Sequence, residues 1–238
     1  MKKIEELSVK IFADGADKAK MLEMYDKSFI KGLTTNPTLM RKAGITDYEY
    51  FAKDILAEIR DKPLSLEVFS DDFSEMERQA LKISEWGNNV YVKIPVTNSK
   101  GKFSGKTIRY LSHKNVKLNI TAVYTAQQTI KIIRNLNKKT KSIISIFAGR
   151  MSDVGKDPVP IFKKCVKLSK KYNKIQILWA STREPYNFIQ ANQISCDIIT
   201  MPAGIIEKVS QFGKSFQSLT VDTVKKFLID SEESNFKL

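Results

Sequence analysis

Val90-Tyr91-Val92-Lys93-Ile94-Pro95-Val96 is a short run rich in β-branched and aromatic residues, the composition of a buried strand. Seven more runs of this kind punctuate the chain: Val9–Ala13, Gly32–Thr35, Leu64–Phe69, Val116–Val123, Ser142–Ala148, Ile175–Ser181 and Asp197–Pro202. Helical patterns lie between them. Thr46-Asp47-Tyr48-Glu49 has the spacing of a capping box ahead of Phe51, Ile55 and Ile59, one apolar face at helical period. Asp72 can cap a helix carrying Phe73, Met76, Ala80 and Ile83, and Thr125 with Gln128 opens another carrying Ile130, Ile133 and Leu136. Asp157-Pro158 supplies a cap followed by proline at the first helical position. Strand alternating with helix eight times returns the chain to the same sheet edge each time, which requires parallel strands and right-handed crossovers. A closed α/β barrel of the (β/α)8, or TIM, type is the simplest arrangement. The other is an open doubly wound sheet, but its GxGxxG fingerprint after the first strand is absent. After the eighth unit, Val221, Val224, Phe227 and Leu228 predict an extra C-terminal helix at about 220–230, able to dock on the barrel or on a neighbouring subunit. No linker or low-complexity stretch divides the chain, so residues 1–238 are expected to form one barrel domain.

The length agrees, since barrels of roughly 250 residues commonly form one domain. Hydrophobic residues make up 42% and aromatic residues 10%, enough for a large core and outside the disordered range. The N-terminal Met1-Lys2-Lys3-Ile4-Glu5-Glu6 is charged but has no apolar stretch behind it, and no segment approaches the roughly 18 apolar residues of a membrane span. A soluble, cytoplasmic protein without membrane partners is expected. Cys165 and Cys196 belong to no metal-ligand or redox spacing and read as buried apolar fillers. A net charge of +14 favours anionic partners. Nucleic-acid sites concentrate basic residues with stacking aromatics, whereas these lysines are scattered. Lys163, Lys164, Lys167, Lys170 and Lys171 read as the solvated face of a helix whose other face is apolar. A nucleic-acid-binding barrel is therefore the weaker alternative, and a small phosphorylated substrate also suits the charge.

In a barrel of this kind catalytic groups stand where strands hand over to the following loops. Strand side chains alternate, so with Val92 and Ile94 toward the helices, Lys93 points into the barrel. Lysine is almost never buried unpaired. One reading is a lysine reaching solvent or neutralising an acid; the sharper one is an amine whose pKa burial lowers, able to attack a ketone as a Schiff-base nucleophile. Asp14 ends the first run and either caps a helix near Ala16 or moves protons. Glu67, between Leu66 and Val68, shares the interior side with Lys93, as a charge partner or a proton shuttle. Thr34-Thr35-Asn36-Pro37 ends the second run, and Asn119 and Thr121 share an interior face that can offer hydrogen bonds to hydroxyls. Ser145, Phe147, Gly149 and Arg150, then Ser181 and Arg183, come at late strand ends, where guanidinium forks suit a phosphate.

Taken in order, Asp14, Leu33-Thr34-Thr35-Asn36-Pro37, Glu67, Val92-Lys93-Ile94-Pro95, Asn119-Ile120-Thr121, Phe147-Ala148-Gly149-Arg150 and Ala180-Ser181-Thr182-Arg183 resemble the transaldolase family. The resemblance implies a class I mechanism on phosphorylated sugars, with no metal or organic cofactor. By position it gives Lys93 the imine, Asp14 the proton of the C4 hydroxyl, and Glu67 with Thr121 the proton shuttle. Thr34, Asn36, Asn119, Ser145 and Phe147 would hold the bound unit, and Arg150, Ser181 and Arg183 the phosphate. The family also contains short fructose 6-phosphate aldolases, which carry glutamine where this chain has Glu67 and tyrosine where it has Phe147. The chain's length is similar to theirs, but the two residues favour transfer. The sequence leaves the oligomer open, with the terminal helix as a contact for identical subunits, and His113, in a helix or loop away from every strand end, is expected to take no catalytic part.

Overall fold

The eight runs form eight parallel strands closed in sequence order: β1 (Lys10–Asp14), β2 (Ile30–Thr34), β3 (Leu64–Glu67), β4 (Val90–Pro95), β5 (Leu118–Val123), β6 (Ser142–Phe147), β7 (Ile175–Ala180) and β8 (Ile198–Pro202). Strand β1 pairs with β2 on one edge and β8 on the other, which closes the barrel. The computed structural model describes residues 8–209 and 211–234. The charged N-terminal hexapeptide read above lies outside the described residues. No helix among them is long and apolar enough to cross a membrane.

Alternation along each strand sorts the core into two parts. Outward residues such as Leu33, Leu66, Val92, Ile94, Ile120 and Ile146 pack with helix residues in one continuous cluster. A second, smaller cluster of Phe12, Tyr91, Ile143, Leu178, Ala180 and Ile198 fills the barrel's interior. Phe12 owes its place to Gly32 on the next strand, where a Cβ would come within 2.5 Å of the ring. Above this apolar floor the interior positions turn polar, because the same period brings Lys93, Asn119, Ser145 and Thr200 one step further along their strands.

Helices α1 (Lys18–Asp26), α2 (Pro37–Lys42), α3 (Tyr48–Glu58), α4 (Phe73–Ser84), α5 (Gly105–His113), α6 (Ala126–Asn135), α7 (Ala148–Ser152), α8 (Val159–Ser169), α9 (Tyr186–Gln193) and α10 (Ala203–Val209) surround the sheet. Asp72 caps α4, and Thr125 with Gln128 opens α6 as predicted, through a capping box. Three details differ from the sequence reading. Helix α3 is capped by Asp47, not Thr46: the Asp47 carboxylate accepts from the Tyr50 amide, and Glu49 pairs with Lys53 and Lys82 instead of closing a capping box. Helix α8 starts at Val159, whose amide donates to Asp157 Oδ1, so Pro158 precedes the first helical residue. In α6 the buried stripe runs through Thr129, Ile132 and Ile133, leaving Ile130 half-buried.

Strand β5 carries a bulge. Three residue steps from Ile120 to Val123 face two steps from Ile144 to Ile146, and Ala122 takes up the extra residue with φ of 58°. A left-handed alanine is costly, and bulges at barrel rims re-aim the side chains beside them, here Thr121. The terminal helix α11 spans Phe216–Glu233, longer than predicted, and none of its residues is buried.

Candidate active site

The polar layer opens at the carboxyl ends of the strands into a cavity of about 640 Å³. Lys93, only 7% exposed, stands at its floor. Its Nζ donates to the Thr35 main-chain oxygen at 2.8 Å and pairs with Glu67 Oε2 at 3.0 Å. The register makes this pairing natural, since Glu67 and Lys93 are direct partners across β3 and β4, and Asn119 is the next partner of Lys93 on β5. Glu67 is further held through its main chain, whose carbonyl accepts from the Tyr48 hydroxyl at 3.0 Å. Tyr48 packs edge-on to Phe69 and tilted to Trp86. Burial, aided by the Glu67 charge, raises the pKa of the Tyr48 phenol, so it remains a donor at ordinary pH.

Asp14 does not cap a helix; α1 is capped by Asp17, whose carboxylate accepts from the Lys20 amide. Instead Asp14 Oδ1 accepts from Thr34 Oγ1 at 2.7 Å, and Thr34 Oγ1 lies 2.6 Å from Thr200 Oγ1. Burial pushes the Asp14 carboxyl above its ordinary value; the Lys93 ammonium and the Thr34 hydroxyl pull it back, and Glu67 adds to the rise. A folded chain that binds this proton more tightly than the unfolded chain loses stability as pH climbs from about 3.8 through the raised value, and the loss persists above it. Asp14→Asn is therefore expected to melt higher than wild type at pH 8, by about 2–4 °C for each kcal/mol recovered, with the gap closing toward pH 4. Calorimetry at the two pH values checks this, and a lower melting point for the variant at pH 8 would refute it.

A second chain of hydrogen bonds crosses the floor. Asn119 Nδ2 donates to Ser65 Oγ at 3.0 Å, while Asn119 Oδ1 accepts from Ser145 Oγ at 2.6 Å. These bonds fix which way the amide faces, and they leave the Ser145 oxygen free to accept from a bound hydroxyl. Thr121 Oγ1, beside the bulge, is buried with no hydrogen-bond partner among the described residues. So is Thr35 Oγ1. Asn36 also lines the cavity, but its Oδ1 caps α2 by accepting from the Leu39 amide at 3.0 Å, so its amide nitrogen is what it can offer.

Toward the mouth, Phe147 meets Tyr124 edge-on at 6.0 Å, and the Arg150 guanidinium lies 5.8 Å from the Phe147 ring centroid. Arg183 is anchored by two bonds to Asp153, at 3.0 and 2.7 Å, which hold the Asp153 carboxyl below its ordinary range. Arg150, Ser181 and Arg183 line the same cavity. Their convergence depends on Gly149, where a Cβ would fall 1.7 Å from the Ser181 main-chain oxygen and 2.9 Å from Arg183 Cγ. Ser181 itself bends back with φ of 62°.

The twelve residues given a site role by the resemblance, Asp14, Thr34, Asn36, Glu67, Lys93, Asn119, Thr121, Ser145, Phe147, Arg150, Ser181 and Arg183, all line this cavity. The sequence reading missed Thr200, Ser65 and Tyr48, although interior parity on β8 and β3 singles out the first two. His113 ends α5 on the surface, its Nδ1 beside the Arg109 carbonyl. Cys165 and Cys196 are buried, and burial pushes the Cys196 thiol up to about 12. No group of three or more His, Cys, Asp or Glu side chains placed to hold a metal ion occurs among the described residues.

Comparison with known proteins identifies the family. The sequence model of the family described as Transaldolase/Fructose-6-phosphate aldolase matches residues 11–238. A protein named "Probable transaldolase" from Sulfurihydrogenibium sp. (strain YO3AOP1) is 34% identical over 225 residues, 94% of this chain and 97% of the relative. One of the same name from Thermoplasma volcanium is 34% identical over 215 residues, covering 89% and 92%. Another, from Methanococcus maripaludis (strain C7), is 32% identical over 225 residues, covering 94% and 98%. Among solved structures, a Sinorhizobium meliloti protein described as an isomerase, in an open loop conformation, superimposes with a TM-score of 0.60 at 10% identity, over 84% of this chain and 53% of that one. A likeness at that identity concerns the fold alone. With nearly the whole chain matched by one family and related to its named members from end to end, this protein belongs to the transaldolase/fructose-6-phosphate aldolase family.

Proposed function

We propose that the protein is a transaldolase that moves a dihydroxyacetone unit from a ketose phosphate, fructose 6-phosphate or sedoheptulose 7-phosphate, to an aldose phosphate. The single observation that carries this is the Lys93 amine, buried in the floor of the cavity with a carboxylate 3.0 Å away. The unprotonated amine attacks the ketose C2 carbonyl, and loss of water leaves a protonated imine, which serves as the electron sink. Glu67, with Thr121 across the floor, takes and returns the protons of imine formation and hydrolysis. Asp14 takes the C4 hydroxyl proton; the O–H pair becomes the carbonyl of the leaving aldose phosphate, and the C3–C4 pair moves into the enamine. Thr34, Asn36, Asn119 and Ser145 hold the retained hydroxyls, Phe147 covers them, and Arg150, Ser181 and Arg183 take the phosphate. The acceptor aldehyde then reverses these steps. The imine makes an organic cofactor unnecessary for this chemistry.

Trapping tests the reading. Incubation with fructose 6-phosphate followed by borohydride should fix a sugar adduct on the peptide containing Lys93. An adduct on another lysine, or none, would remove the proposal. The second reading, an aldolase releasing free dihydroxyacetone, draws on the joint family to which the chain belongs. It requires dihydroxyacetone to accumulate from fructose 6-phosphate without any acceptor, and failure to accumulate removes it.

The chain would act as one barrel domain in the cytoplasm, without nucleic acid or membrane partners. It would assemble with identical copies through α11, whose Phe216, Phe227 and Leu228 are 90%, 66% and 59% exposed. Sedimentation finding a single protomer at micromolar concentration would remove the assembly.

A further inference from the structure

Thr34 stands between two oxygen atoms, Asp14 Oδ1 at 2.7 Å and Thr200 Oγ1 at 2.6 Å. A hydroxyl carries one proton and two lone pairs. Facing an ionised carboxylate, Thr34 must spend its proton on Asp14, so the contact with Thr200 is one that Thr34 accepts and Thr200 donates. The three residues come from neighbouring strands, since β1 pairs with both β2 and β8. Thr200 is 5% exposed, and its main chain is pinned where the Thr182 hydroxyl donates to its carbonyl at 2.7 Å. Its own hydroxyl therefore has a fixed origin and a fixed target.

We propose that Thr200 is a positioning residue that acts through Thr34, keeping the Thr34 proton on Asp14 and so readying that carboxylate as the base of carbon–carbon cleavage. The inference rests on the Schiff-base reading above. Once Asp14 has taken the substrate's proton on its other oxygen, a turn of its carboxyl group and of the two hydroxyls lets Asp14 donate to Thr34 and Thr34 to Thr200. Both protonation states then keep their hydrogen bonds without movement of the backbone. A donor behind a donor also strengthens the bond it feeds, so the carboxylate is held more firmly with Thr200 than without it. The charged groups facing Asp14 are Lys93 on β4, which favours the carboxylate, and Glu67 on β3, which opposes it. Thr200 works on the same side as Lys93.

Thr200→Val keeps the shape and removes the O–H. It should lower kcat about three- to tenfold and move the acidic limb of the kcat/KM profile up by about half a pH unit. Thr200→Ser should retain the wild-type limb. Thr34→Val should move the limb at least as far, and Thr200→Val should add nothing in that background, because its effect passes through the missing hydroxyl. An unmoved limb in Thr200→Val, a Thr200→Ser variant that behaves like it, or shifts that add in the double variant would each overturn the proposal. Circular dichroism checks folding, and Thr200→Ala takes the same place in the series should the valine variant not fold. Borohydride trapping on wild type separates the two levels. No adduct on Lys93 removes the Schiff-base reading and this inference with it, whereas a normal adduct with an unmoved limb removes only the part assigned to Thr200.

Discussion

Lys93→Met is expected to lower kcat/KM for the transfer reaction by at least about four orders of magnitude, the scale on which loss of a covalent nucleophile is felt. Methionine fills most of the lysine stem's volume and offers no amine, so the cavity keeps its walls while the imine becomes impossible. Borohydride should then fix no adduct in the presence of fructose 6-phosphate. Stability responds as well. Breaking a buried ion pair from one side costs about 3–5 kcal/mol, because the other charge is left without a partner. Glu67 is 18% exposed, which places the expected loss toward the lower end of that range. Lys93→Met with Glu67→Gln should recover much of it without any recovery of activity. Urea unfolding of the three proteins beside their steady-state rates checks both halves. Substantial turnover by Lys93→Met would end the covalent account, whatever the stability data show.

Gly149→Ala is expected to be the most damaging single methyl group in the chain. Its Cβ has no position to occupy, being 1.7 Å from the Ser181 carbonyl oxygen. That neighbour is main chain, so the segment after β7 must retreat, carrying Ser181 and Arg183 away from Arg150. Overpacking of this kind typically costs about 1–3 kcal/mol, and a clash with rigid backbone belongs at the upper end. The diagnostic result is selective. The KM for phosphorylated substrates should rise at least about 30-fold, the scale of about 2 kcal/mol in charge-assisted hydrogen bonds. Trapping of unphosphorylated dihydroxyacetone on Lys93 should remain close to wild type. Gly204→Ala, where a Cβ meets nothing within 4 Å, serves as the control. Equal losses with both substrates would separate Gly149 from phosphate recognition.

The barrel was legible because period-2 alternation and helical spacing are local properties, written into runs such as Val90–Val96 and into caps such as Asp72. The same alternation placed Lys93, Glu67, Asn119 and Thr121 inside. What escaped depends on contacts between distant segments. Tyr48 meets the Glu67 carbonyl only because α3 packs beside β3, and Arg183 finds Asp153 across 30 positions. Thr200 is an ordinary strand residue until Thr34, 166 positions away, is brought to 2.6 Å. The cap of α3 was misplaced by one residue because Thr46 and Asp47 are both good acceptors and only backbone geometry chooses between them. The bulge at Ala122 has no signature in residue type at all, since alanine is a poor choice for a left-handed conformation.

The apolar plug of Phe12, Tyr91 and their neighbours fills the barrel beneath the reaction chamber, which opens at the carboxyl ends of the strands. For a transferase of the kind proposed, that makes traffic sequential: the first aldose must back out before the second can come in, as at a turnstile. Double-reciprocal plots for the two substrates would then run parallel, and an excess of acceptor would jam the entrance against the donor.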